Sequence, residues 1–208
     1  MPPRGLYAIT NGPRPDLLAA VDAALAGGAA ILQYRDKSAD RSRREAEARA
    51  LAALCIRHGV PLIVNDDIEL AAVVGAAGVH LGESDAAIDL ARARLGADAL
   101  IGVSCYDSID RARDAVAAGA TYVAFGAFHA TATKPSARRA APSILRDART
   151  LGVPRVAIGG ITPDNARPLI DAGADFVAAI AGLFDSADIG AVARRYVAAF
   201  SDQTQDRA

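Results

Sequence analysis

One recurring unit constrains this chain more than anything else in it. A short apolar, partly β-branched run ends on a polar or charged residue, and a helix-forming stretch closed by glycine follows. Pro61-Leu62-Ile63-Val64-Asn65-Asp66 is the clearest instance: three apolar residues run unbroken into an amide and a carboxylate. That is how a strand buried on both faces delivers polar groups to its end. The unit recurs eight times. Leu6 to Thr10 is followed by a helix that Asp16 is expected to cap and Gly27-Gly28 ends, and Ala29 to Arg35 by a long helix ending near His58-Gly59. Pro61 to Asp66 precedes Ile68 to Val74, and Gly78 to Gly82 precedes Ala86 to Leu95. Leu100 to Ser104 leads to a helix capped by Asp107 or Ser108, and Tyr122 to Gly126 to a long polar loop and a helix from Pro142 to Leu151. After Arg155 to Ile161, Thr162 is expected to cap a helix that Pro163 opens; Phe176 to Gly182 and a helix from Ala187 to Phe200 finish the series.

Eight strands alternating with eight helices, without a linker or composition break, predict a parallel sheet closed as a (β/α)8 TIM barrel. An open doubly wound sheet is the alternative, but the glycine-rich dinucleotide turn it carries after its first strand is absent. The chain of 208 residues suits one barrel domain over 1–200 with a polar tail at 201–208. Aromatic residues are 5% and Trp is lacking, so the core must come from Ala, Val, Leu and Ile.

A net charge of -1, with dispersed Lys and Arg, gives no field toward nucleic acid or an anionic membrane. Cys55 and Cys105 belong to no metal-binding spacing and read as reduced packing residues. The amino terminus lacks the apolar core of a signal peptide and no run approaches the roughly 20 apolar residues of a membrane helix, so a cytoplasmic protein is expected. A homo-oligomer is left open.

A barrel predicts that function lies at the carboxyl ends of its strands. Those positions hold Gln33, Arg35 and Lys37; Asn65 and Asp66; Asp85; Ser104; Thr131, Thr133 and Lys134; and Gly159-Gly160. Three cations, two carboxylates and several neutral donors at one mouth suit a diphosphate with a divalent metal, and carboxylate oxygens suit Mg2+. Each group also has a plainer reading. Asp66, Asp67 and Asp85 precede helices and can be N-caps, Arg35 to Lys37 can be a solvated loop, and Gly159-Gly160 can serve a tight turn. Of the histidines, His58 reads as surface, His80 as structural within a strand, and His129 as a loop imidazole near the mouth.

Several of these segments together resemble the thiamine-phosphate synthase family. The resemblance runs through Leu6-Tyr7-Ala8-Ile9-Thr10, Gln33-Tyr34-Arg35-Asp36-Lys37, Val64-Asn65-Asp66-Asp67, Gly78 to Asp85, Ile101-Gly102-Val103-Ser104, Thr131-Ala132-Thr133-Lys134 and Ala157-Ile158-Gly159-Gly160-Ile161, in order. It implies joining a pyrimidine methyl diphosphate to a thiazole phosphate, with release of pyrophosphate. It also implies that Gln33, Arg35, Lys37, Asn65, Ser104 and Lys134 hold the pyrimidine diphosphate, and that Asp66 and Asp85 hold Mg2+. Arg35, Lys37, Ser104 and Lys134 would carry the catalysis. Thr131, Thr133 and Gly160, with the backbone N–H groups of Ile180 and Ala181, would hold the thiazole phosphate. The chain departs from the family at Ala181, where a serine is usual, at Glu83, and at His129-Ala130. The rivals are a thiazole tautomerase, which needs a proton-transfer histidine and no metal, and a non-catalytic barrel that binds a phosphate ligand.

Overall fold

The computed structural model describes residues 1–2, 4–82, 86–130 and 139–201. Eight parallel strands, β1 (Gly5–Ile9), β2 (Ile31–Tyr34), β3 (Leu62–Asn65), β4 (Gly78–Leu81), β5 (Leu100–Tyr106), β6 (Tyr122–Phe125), β7 (Arg155–Ile158) and β8 (Phe176–Ala179), pair in sequence order. β1 also pairs with β8, which closes the barrel and excludes the open sheet. Between and after the strands lie α1 (Leu17–Ala26), α2 (Arg41–His58), α3 (Ile68–Val74), α4 (Ala86–Leu95), α5 (Ile109–Ala117), α6 (Ser143–Asp147), α7 (Arg167–Asp171), α8 (Ala181–Phe184) and α9 (Ile189–Ser201). None of the helices among the described residues is long and apolar enough to cross a membrane.

Because side chains alternate across a strand, each strand splits its residues between two cores. Leu6 and Ala8 of β1, Leu32 and Tyr34 of β2, and Val123 and Phe125 of β6 face the helices, in one large cluster with α1, α2 and α9. Tyr7, Ile9, Ile31, Ile63, Tyr122, Val156 and Phe176 fill the barrel interior. Two glycines make that interior possible. A Cβ on Gly78 would lie 1.8 Å from the Leu100 carbonyl oxygen, and one on Gly102 would lie 1.9 Å from Cζ of Tyr122, so the bare backbone is what admits that ring.

Side-chain caps set the starts of three helices. The Asp67 carboxylate accepts from Leu70 N at 2.9 Å and caps α3, Asp40 caps α2 through Arg43 N, and Ser108, not Asp107, caps α5 through Arg111 N. Asp16 does not cap α1: Arg14 engages both of its carboxylate oxygens at 2.7 and 2.8 Å. Thr162 and Pro163 do not open a helix either. The Asn165 side chain accepts from Thr162 N and donates to Gly160 O, which folds 160–165 as a turn and delays α7 to Arg167. The helix expected from Pro142 to Leu151 is α6 followed by a 3-10 turn over Ala148–Leu151. Ser201 belongs to α9, and the rest of the expected tail, 202–208, lies outside the described residues.

Candidate active site

At the carboxyl end of the barrel a cavity of about 240 Å3 opens, and Gln33, Arg35, Lys37, Asn65, Asp66 and Ser104 all line it. β2 supplies the first three by alternation. Gln33 points into the barrel and is 2% exposed, Tyr34 turns outward and donates to Glu47 at 2.6 Å, and Arg35 turns back to the mouth. Asp36 then folds beneath the loop, where its carboxylate accepts from Ser38 N at 2.8 Å and from Arg43 at 2.6 Å, leaving Lys37 on the cavity side. Burial works against the Asp36 charge, but these hydrogen bonds outweigh it and hold its carboxyl below the usual range. Thr10, at the end of β1, accepts from Arg35 N at 2.8 Å and donates to Arg35 O at 3.1 Å, so the backbone that carries the arginine is clamped from both sides.

The tip of β3 separates two adjacent carboxylates. Asp67 is spent on α3 and on a 2.8 Å ion pair with Arg44. Asp66 holds a left-handed backbone with φ of 62°, unusual without a glycine, and that turn aims its carboxylate at the mouth. There it accepts from Asn65 Nδ2 at 2.7 Å and stands 3.7 Å from Lys37 Nζ. A half-exposed carboxylate beside a cation and an amide is a hard oxygen donor of the type Mg2+ takes.

Five polar side chains cross the interior beneath the cavity. Gln33 Nε2 donates to Tyr7 OH at 2.9 Å, Tyr7 OH lies 2.8 Å from Tyr122 OH, His80 Nδ1 lies 3.1 Å from Tyr122 OH, and His80 Nε2 lies 3.0 Å from Ser104 Oγ. Burial raises both tyrosines above the ordinary phenol range and pushes His80 down to about 4, with the Asp66 charge opposing only in part. His80 is therefore neutral at pH 7.

A profile of the family described as thiamine monophosphate synthase matches residues 6–183. The chain belongs to the thiamine monophosphate synthase family. It is 55% identical over 199 residues to a thiamine-phosphate synthase of Xanthomonas campestris, covering 95% of this chain and 96% of the relative. It is 57% identical over 191 residues to that of Thiobacillus denitrificans, covering 90% of each. Among solved structures, the thiamine phosphate pyrophosphorylase of Pyrococcus furiosus superposes with a TM-score of 0.85 at 30% identity, over 95% of this chain and 96% of that one.

Within this family member the expected positions divide three ways. Gln33, Arg35, Lys37, Asn65, Asp66, Ser104 and Ile180 share the cavity. Gly159 lines it, whereas Gly160 and Ala181 do not; Gly160 sits behind the wall at φ of 62°, where a Cβ would meet Ala130 O at 2.3 Å. Asp85, Thr131, Thr133 and Lys134 lie outside the described residues, as does Glu83. His129 does not line the cavity; its backbone N–H donates to Gly159 O at 2.9 Å. His58 sits on the surface beside Asp22 at 2.8 Å, as expected. His80, read from the sequence as a structural strand residue, has its ring turned into the barrel against Ser104.

Two further residues at the mouth escaped the sequence. Tyr106 lines the cavity in a left-handed conformation, φ 54°, at a bulge where the β5–β6 register shifts. Arg111, in the first turn of α5, donates to Ser104 O at 2.8 Å and Gly82 O at 3.0 Å and lies 5.9 Å from the Tyr106 ring centroid. It ties the ends of β4 and β5 together under the site. The signal available was the polar tip of β5, but the sequence marks that strand as ending at Ser104, two residues early.

Proposed function

We propose that this thiamine-phosphate synthase works at the β2–β3–β5 mouth. It condenses an aminopyrimidine methyl diphosphate with a thiazole phosphate to give thiamine phosphate and pyrophosphate, with both substrates free small molecules in the cytoplasm. The observation that carries this reading is the gathering of Gln33, Arg35, Lys37, Asn65 and Ser104 around one cavity.

In this mechanism Arg35 and Lys37 neutralise the diphosphate, and Ser104 and Asn65 donate to its oxygens. Gln33, at the cavity floor, orients the aminopyrimidine ring. As the C–O bond to the diphosphate breaks, negative charge grows on the leaving oxygens, and donors already in place stabilise it without rearranging. The electron-rich ring carries the matching positive charge, and the lone pair of the thiazole nitrogen closes the new C–N bond. No protein base is needed, which suits a mouth whose imidazole is neutral and turned inward. Asp66, with Asp85 and water, would hold Mg2+, which supplies charge stabilisation to the departing pyrophosphate. Lys134, Thr131 and Thr133 would complete the diphosphate and thiazole phosphate contacts, with the backbone N–H groups near Gly160, Ile180 and Ala181.

Incubating purified protein with both substrates and Mg2+, then oxidising thiamine phosphate to its fluorescent thiochrome derivative, tests the reading. Product is expected, and chelation of the metal should remove it. No thiochrome at micromolar protein would overturn the proposal. Metal-independent isomerisation of a thiazole phosphate carboxylate would assign the site to the tautomerase rival.

A further inference from the structure

The geometry points to Tyr7, Tyr122 and His80 as positioning residues that lock Gln33 and Ser104 into complementary hydrogen-bonding polarity across the barrel. The five groups come from β2, β1, β6, β4 and β5 and form four consecutive contacts of 2.9, 2.8, 3.1 and 3.0 Å. Tyr7, Gln33 and Tyr122 are 1%, 2% and 0% exposed, so water cannot replace a missing partner along the Gln33–Tyr7–Tyr122 part of the chain.

Proton counting restricts it further. Each phenol has one proton, and a neutral imidazole has one N–H and one bare nitrogen. Gln33 donates its amide N–H to Tyr7. Tyr7 must then give its proton to Tyr122, Tyr122 gives its own to His80 Nδ1, and the remaining imidazole N–H at Nε2 donates to Ser104. With Gln33 as the donor, any other order leaves a buried O–H without an acceptor, which is costly. The consequence appears at both ends of the cavity. The Gln33 carbonyl oxygen is turned away from Tyr7 as an acceptor, and the Ser104 hydroxyl proton is left to donate into the mouth. The one alternative that satisfies every group is complete reversal: Gln33 accepts, His80 carries its proton on Nδ1, and Ser104 spends its own proton inward.

Resting on the proposed reaction, the forward arrangement matches the substrate at both ends. An acceptor at Gln33 receives the exocyclic amine of the pyrimidine, and a donor at Ser104 meets the diphosphate. One end thereby selects the polarity of the other, although Gln33 and Ser104 are 71 positions apart in sequence, on strands that do not pair.

The test is nitrogen NMR of protein labelled with 15N-histidine, with the His80 signals assigned by His80→Gln. A protonated and a bare ring nitrogen resonate far apart, so the tautomer is read directly in the ligand-free protein. The wild type should carry its proton on Nε2. Gln33→Glu places an acceptor-only carboxylate beside Tyr7, in a cavity that also presents Arg35 and Lys37, and should move the proton to Nδ1. Tyr122→Phe should abolish the tautomer preference. It should also raise KM for the pyrimidine diphosphate roughly 3- to 10-fold, with KM for the thiazole phosphate unchanged. Ser104→Ala should cost less in the Tyr122→Phe background than in the wild type. A proton on Nδ1 in the wild type, or a His80 tautomer indifferent to Gln33→Glu, would overturn the relay. The NMR result stands whether or not the protein makes thiamine phosphate, so failure of the relay and failure of the reaction are separately visible.

Discussion

Replacing Asp66 with glycine separates what that residue does for the fold from what it does at the mouth. Its backbone is left-handed at φ 62°, a conformation costing a non-glycine residue about 1 kcal/mol or more. Glycine removes that strain but adds about 0.4–1 kcal/mol of unfolded-chain entropy. The carboxylate's two partners, Asn65 Nδ2 at 2.7 Å and Lys37 Nζ at 3.7 Å, meet it in an exposed setting, so its removal takes away little stability. The effects nearly cancel, so Asp66→Gly should leave stability within about 0.5 kcal/mol, and the melting temperature within about 2 °C. Asp67→Ala is the contrast. It removes a helix cap, about 1 kcal/mol, and a partly buried ion pair with Arg44 worth about 1–2 kcal/mol more. At about 2–4 °C per kcal/mol for a chain of this size, the summed loss of about 2–3 kcal/mol lowers the melting temperature by about 4–12 °C. Thermal unfolding followed by circular dichroism, beside steady-state kinetics, reads both quantities. Asp66→Gly should fold normally and lose about 100-fold or more in rate, while Asp67→Ala should be less stable yet active. A destabilised but fully active Asp66→Gly protein would refute this division of labour.

Asp36→Asn should destabilise the protein by roughly 1–3 kcal/mol at pH 7, because its side chain is 1% exposed and bonded to Arg43 and Ser38. Its folded carboxyl is depressed, so the stability it adds is present above the unfolded value near pH 4 and lost as pH falls through the folded one. Denaturant curves of wild type and variant should therefore converge below about pH 4. Gly102→Ala should cost about 1–3 kcal/mol or more, since its Cβ would lie 1.9 Å from Tyr122 Cζ, and combining it with Tyr122→Leu should cost less than the two changes summed. Gly160→Ala should raise KM for the thiazole phosphate more than for the pyrimidine diphosphate, because the new Cβ is forced against Ala130 O.

The barrel was legible because its signals are local: apolar runs four or five residues long, polar tips, and glycine stops. Placing Gln33, Arg35, Lys37, Asn65, Asp66 and Ser104 around one cavity needed only the rule that barrel sites gather at the carboxyl ends of strands. With Asp66 assigned to the mouth, its neighbour Asp67 was left as the better cap for the following helix, and it does cap α3. Capping elsewhere was less legible, since whether Asp16 or Thr162 caps depends on rivals such as Arg14 and Asn165. The interior relay was not legible at all. Tyr7 and Tyr122 are separated by 115 positions and lie on strands that do not pair, so only closure of the barrel brings their hydroxyls to 2.8 Å.

The most direct test of the central claim is a 31P NMR time course of the protein with both substrates and Mg2+. The diphosphate doublets of the pyrimidine substrate should decay into the single resonance of free pyrophosphate, while the thiazole phosphate signal shifts to that of thiamine phosphate in equal amount. Arg35→Ala and Lys37→Ala should each slow this conversion by about 100-fold or more. Release of pyrophosphate without the matching thiamine phosphate, or full rates in both variants, would contradict a site built at this mouth to hold the diphosphate while the two rings join.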